Sequence, residues 1–151
     1  MRYLGTIHLK GERTKKGQAH DIPLSAPARE LLEEMPRIGD DYVLTFNGKT
    51  AINNWDGLKR QLDKISGVTG WRLHDLRRSV ATGLQKLGVA LQVTEAVLGH
   101  VSGSRAGVVG IYQRHNYANE KRSALEAWGK QVTALVEGRE TGVVLPIRSA
   151  R

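Results

Sequence analysis

Arg77 lies about 40° from Leu73 on a helical wheel. That puts it inside an apolar stripe of Leu73, Leu76, Val80, Leu84 and Leu87. A guanidinium turned toward a core is costly unless an anion or a hydrogen-bond partner meets it. Two partners satisfy that demand: a carboxylate of the same chain, or an anion brought from outside. His74 stands three residues earlier, so both side chains reach the same side of one helix. A second histidine, His100, follows Leu98 and Gly99, where the glycine permits a sharp change of direction at a helix end. Tyr112 comes twelve residues later, in Ile111-Tyr112-Gln113-Arg114-His115, and Lys15 sits on a turn eight residues before Pro23. An arginine, two histidines, a lysine and a phenol are suited to holding an anion and moving protons. Each has a plainer reading when taken alone. Arg77 pairs with a structural carboxylate, His74 is structural, Lys15 is a solvated turn residue with Lys16 as a near-equivalent, and Tyr112 is a half-buried aromatic.

The elements that must position these groups are legible as changes of period. Thr6-Ile7-His8-Leu9 and Ala19-His20-Asp21-Ile22 have strand-like composition, and Thr14 to Gln18 supply a turn containing Gly17. A short helix follows, with Ser25 at its N-cap, Pro27 in its first turn and Leu31, Leu32 and Met35 along it. Pro36 and Gly39 end it. Tyr42 to Phe46 reads as a third short strand, stopped by Asn47-Gly48. From Asn53 the spacing becomes helical. Trp55, Leu58, Leu62 and Ile65 form one stripe closed by Gly67, the Leu73–Leu87 stripe ends at Gly88, and Val93, Val97 and Leu98 form a shorter one stopped by Gly99. Asn116 or Asn119 caps a last helix with Leu125, Trp128, Val132 and Leu135 on one face. Trp71 and Trp128 read as core or helix-docking aromatics. The fold class is therefore mainly α with a small N-terminal antiparallel β-sheet (α+β).

Whole-chain properties bound the function. At 151 residues, with 40% hydrophobic and 25% charged residues, the chain suits one ordinary globular domain and not a disordered one. It has no cysteine, which removes disulfides and thiolate metal sites. No run is long enough to span a bilayer, and the N-terminus lacks the apolar core of a signal peptide. Lys and Arg number 23 against 15 Asp and Glu, a net charge of +8. Such a surplus favours an anionic partner, nucleic acid first and acidic membrane second.

In order along the chain, four segments make a pattern: Thr14-Lys15-Lys16-Gly17 leading to Ile22-Pro23-Leu24-Ser25, then Arg72-Leu73-His74-Asp75-Leu76-Arg77-Arg78, then Leu98-Gly99-His100, then Gly110-Ile111-Tyr112. The pattern resembles the tyrosine recombinase (phage integrase) family and covers most of the chain. The resemblance implies the DNA breaking-rejoining catalytic fold and site-specific recombination (integration or excision) through a 3′-phosphotyrosine. Its implied roles fall on Tyr112 as nucleophile, Arg77 as phosphate clamp, His74 and His100 as hydrogen-bond donors or proton handlers, and Lys15 as the acid for the departing 5′ oxygen. Tyr117 is a competing tyrosine that does not match the family phrase, and His115 reads as a surface residue near the site. Arg13, Lys16, Arg72, Arg78, Arg105 and Arg114 flank the motifs and read as DNA-phosphate contacts. The implied partners are double-stranded DNA and further copies of the chain, in a tetrameric synapse on DNA. No membrane partner is implied, and the setting is the cytoplasm, bacterial or phage-encoded.

The chemistry asks for these residue types. A phosphodiester attacked in line gathers negative charge on its non-bridging oxygens, which preorganised cationic donors stabilise. A guanidinium bonds two such oxygens at once, as Lys cannot. A phenol with an ordinary pKa near 10 needs a positive neighbourhood or a base to act as a nucleophile. The alkoxide that leaves needs a proton. Side chains supply the positive charge, so the scheme calls for no metal and no other cofactor, and the covalent intermediate conserves the bond energy for rejoining.

Two features depart from the family pattern. No arginine before Lys15 fits the family's upstream clamp: Arg2 lies in Met1-Arg2-Tyr3-Leu4, and Arg13 is already on the hairpin. The expectation is a C-terminal piece of a longer integrase, truncated at its N-terminus, with a partial catalytic domain over 1–138 and a tail over 139–151. Such a piece would keep the fold and much of the site but be inactive or nearly so alone, because one missing clamp costs several kcal/mol in the transition state. The spacing from His100 to Tyr112 is also longer than usual, with Ser102 to Gly107 holding the extra length. A non-catalytic alternative reads Leu84 to Leu98 as a helix-turn-helix-like DNA-binding module. Geometry separates the two readings. The enzyme needs Arg77, His74 and His100 on one basic cleft, whereas Arg77 tied to an internal carboxylate far from both histidines favours the binding module.

Overall fold

The computed structural model describes residues 5–15, 17–100 and 116–139. Strand β1 (Thr6–Leu9) leads through a 3-10 turn (Gly11–Arg13) to β2 (His20–Pro23). Helices α1 (Ala26–Glu34), α2 (Trp55–Ser66), α3 (Leu73–Lys86), α4 (Leu91–Leu98) and α5 (Ala118–Val136) follow. The described chain is thus mainly helical with a two-stranded antiparallel sheet, as expected. Its register pairs Thr6 with Pro23, Ile7 with Ile22, His8 with Asp21 and Leu9 with His20.

The link between the strands is longer than the five-residue turn expected from sequence. Its shape is fixed by Thr14, whose hydroxyl donates to the carbonyls of Gly11 (3.0 Å) and Gln18 (2.7 Å). A Cβ on Gly11 would stand 2.4 Å from the Gly17 carbonyl oxygen, so only glycine lets the two backbones meet there. Lys15 is carried on this braced tip.

The third strand expected at Tyr42–Phe46 does not form. Thr45 is buried and donates its hydroxyl to the Thr50 carbonyl at 2.7 Å, while the Gly48 N–H donates to Thr45 Oγ1 at 3.0 Å. Asn47 Oδ1 accepts the N–H groups of Lys49 and Thr50, both at 2.9 Å. Thr and Asn side chains thereby give this backbone local partners in place of a strand ladder. Tyr42, Val43, Leu44 and Phe46 are left exposed.

Helix α5 is the central pillar, in contact with α1, β2, α3 and α4. The core at their junction comprises Leu84, Val93, Val97 and Ala124, flanked by Val80, Val89, Tyr117, Leu125 and Trp128. Two close approaches set its geometry. A Cβ on Gly83 would fall 1.9 Å from a ring carbon of Trp128, and one on Gly129 would fall 2.7 Å from Ser25 Oγ. Ser25 is the N-cap residue of α1 as expected, yet its hydroxyl makes no capping bond. The Ala26 N–H donates instead to Glu126 Oε2 of α5 at 3.0 Å, so one helix caps another.

The stripe on α3 is only half core. Val80 and Leu84 face inward, whereas Leu73 and Leu76 are 43% and 57% exposed because the first turns of α3 project beyond the core cluster. Helix α2 begins and ends where the sequence indicates. Asn54 Oδ1 accepts the Gly57 N–H at 3.0 Å, and Gly67 closes it with φ of 70°. Its apolar face stays open, with Ile65 85% exposed. Lys59 joins it to the chain before α3, with Nζ 2.6 Å from Asp63 and 4.7 Å from the Trp71 ring centroid.

Candidate functional site

Helix α3 opens with Arg72 at its N-cap, where the Arg72 N–H donates to Asp75 Oδ2 at 2.9 Å. That backbone hydrogen bond holds the Asp75 carboxyl below its usual range, and the Arg78 guanidinium, 3.3 Å from Oδ1, adds to the effect. Asp75 is therefore engaged at the helix start and not with Arg77. One turn on, Arg77 is half-buried on the side of α3 that carries Val80 and Leu84. Its Nη2 donates to the Leu98 carbonyl at the end of α4. Among the described residues, a backbone carbonyl and not a carboxylate meets this guanidinium. The negative end of the α4 dipole favours the cation there.

Helix α4 stops at Gly99, whose φ of 63° turns the chain so that the His100 N–H reaches the Glu95 carbonyl at 2.9 Å. His100 then faces a cleft of about 940 Å³ that is also lined by His74, Arg77, Lys15 and Arg13. Five of the sequence-designated residues, drawn from the hairpin, α3 and the α4 terminus, thus share one hollow. Among the described residues Asp21 is the one carboxylate lining it, and His8 Nδ1 lies 2.8 Å from Asp21 Oδ1. The surplus of positive charge in a concave site is what a phosphodiester needs.

Other designated residues lie elsewhere. Arg72 and Arg78 do not line this cleft, and Arg78 faces a separate groove between α3 and α5 with Lys86 and Trp128. Lys16, Arg105, Tyr112 and Arg114 fall outside the described residues, as do Ser102 to Gly107, His115 and the tail from 140 onward. Tyr117, the competing tyrosine, packs against the core and starts α5 with φ of 50°, the one non-glycine residue at positive φ among those described. Asn116 takes the capping contact at this helix start, accepting the Ala118 N–H at 3.1 Å.

A family model for the phage integrase family matches residues 3–119. The chain belongs to the phage integrase family. No match was found among curated proteins or among solved structures. Integrase-family membership places it among DNA recombinases, with site-specific recombination as the family-level activity and DNA as the family-level partner. Among the described residues no helix is long and apolar enough to cross a membrane.

Sequence reasoning missed several cleft residues of this integrase domain, His20, Lys121 and Arg122 among them. Lys121 is buried on α5, and its Nζ donates to the Asp21 carbonyl of β2 at 2.8 Å. The signal for it was present, since Lys121 shares a helical face with Ala124, Leu125 and Trp128, the same anomaly that exposed Arg77. Arg122 is a surface residue whose membership of the site only the fold reveals. The binding-module alternative called for an Arg77 bound to a carboxylate and remote from both histidines, and among the described residues neither condition is met.

Proposed function

We propose that this integrase-family chain cleaves and rejoins DNA strands through a 3′-phosphotyrosine during integration or excision. Tyr112 Oη attacks the scissile phosphorus, the bond to the 5′ oxygen breaks, and Lys15 supplies the proton that the leaving oxygen takes. Arg77 grips the non-bridging oxygens, with His74 and His100 donating hydrogen bonds or handling the nucleophile's proton. Reversal, with a 5′ hydroxyl attacking the phosphotyrosine, reseals the strand. Arg13 and the flanking arginines hold neighbouring phosphates, and further copies of the chain complete the synapse. The single observation that supports this reading is the shared cationic cleft of Lys15, His74, Arg77 and His100, four residues from three separate segments.

Covalent capture on a suicide DNA substrate tests it, using the chain alone and the chain extended by the sequence encoded upstream. The expected result is a covalent adduct with the extended protein, lost in Tyr112→Phe, and little or none with the chain alone. An adduct that survives Tyr112→Phe contradicts the nucleophile. Absence of any adduct from either protein contradicts the strand-cleavage reading.

A further inference from the structure

A helix leaves its last four carbonyls without intrahelical partners. In α4 these belong to Glu95, Ala96, Val97 and Leu98. The glycine turn satisfies the first two, through the His100 N–H at 2.9 Å and the Gly99 N–H at 3.4 Å. The other two are taken by side chains from different elements. Arg77 of α3 donates to Leu98, and His20 of β2 donates Nε2–H to Val97 at 3.1 Å. The His20 ring also lies against the turn itself, since a Cβ on Gly99 would come within 3.4 Å of its Cδ2 and Nε2.

We propose that His20 is a positioning residue: its imidazole pins the end of α4 to β2 and so sets where His100 enters the cleft. The inference deepens the phosphate-site reading above and rests on it for its functional meaning. Val97 is buried and His20 half-buried, so the bond is shielded from competing water. The same strand continues back to the hairpin tip that carries Lys15. The hairpin that carries Lys15 and the turn that carries His100 therefore share one anchor. The hydrogen bond also assigns the tautomer, since a carbonyl accepts only from a protonated Nε2.

Three substitutions separate positioning from bulk. Gln places an amide N–H near the position of Nε2, Asn places one near Nδ1, and Leu keeps much of the volume with no donor. Amide hydrogen exchange at Gly99 and His100, together with the ring signals of His100, is read on the intact chain with and without a DNA duplex. His20→Leu and His20→Asn are expected to speed exchange at both amides roughly tenfold, the size of one net hydrogen bond, and to shift the His100 ring signals. His20→Gln is expected to stay close to wild type. Unchanged exchange in His20→Leu, or equal effects of Leu and Gln, overturns the proposal. If exchange follows the expected order but the duplex leaves the His100 ring signals unmoved, His20 does pin the turn, and it is the phosphate-site reading that fails.

Discussion

A cation on the packed side of a helix must be met by something, and for both Arg77 and Lys121 that something is a backbone carbonyl of another element. Each bond stitches two segments together. Asp75 does a different task, securing the start of α3 from which His74 and Arg77 project. Its folded pKa lies below the ordinary value. A group shifted in that direction adds stability above its unfolded pKa of about 3.9 and loses it as pH falls through the folded one. Asp75→Asn is therefore expected to lower the unfolding temperature at pH 7 and to make little difference at pH 2. An equal deficit at both pH values would contradict that role. At this scale the sequence was informative wherever a residue broke its own element's pattern, as Arg77 does in an apolar stripe. His20 breaks none. It is an ordinary position in a strand, and its partner lies 77 residues away.

Helices α3, α4 and α5 each line the cleft, and the spacing of α3 and α5 depends on Trp128 lying directly on Gly83. Gly83→Ala forces a methyl into an occupied ring. Overpacking of this kind costs about 1–3 kcal/mol, or a fall in Tm of roughly 2–12 °C for a domain of this size, readable by calorimetry. A variant as stable as wild type would show that the α3–α5 contact does not bear on the core. Helix periods, caps and stops were legible because Gly67, Gly88 and Gly99 end helices by a local mechanism. The strand at Tyr42–Phe46 was misread because apolar composition does not disclose that Thr45 and Asn47 would capture the backbone. The capping of α1 by Glu126 was likewise invisible, since capping rules look only to nearby sequence.

On the scale of the whole molecule, the chain carries a net charge of +8, and Arg13, Lys15, Arg77, Lys121 and Arg122 bring part of that surplus to the cleft where the hairpin, the head of α3 and the tail of α4 meet. Charge named the class of partner, the ordered motifs named the family, and the fold supplied what neither could: a common hollow. The most direct measurement is a double-mutant cycle on duplex DNA affinity at fixed salt, with Lys15→Ala and Arg77→Ala alone and combined. Groups that grip one phosphate from opposite elements must couple. The account predicts that the two losses depart from additivity by more than about 0.5 kcal/mol. Losses that sum within error, or a Kd that neither substitution changes, would contradict a shared phosphate site.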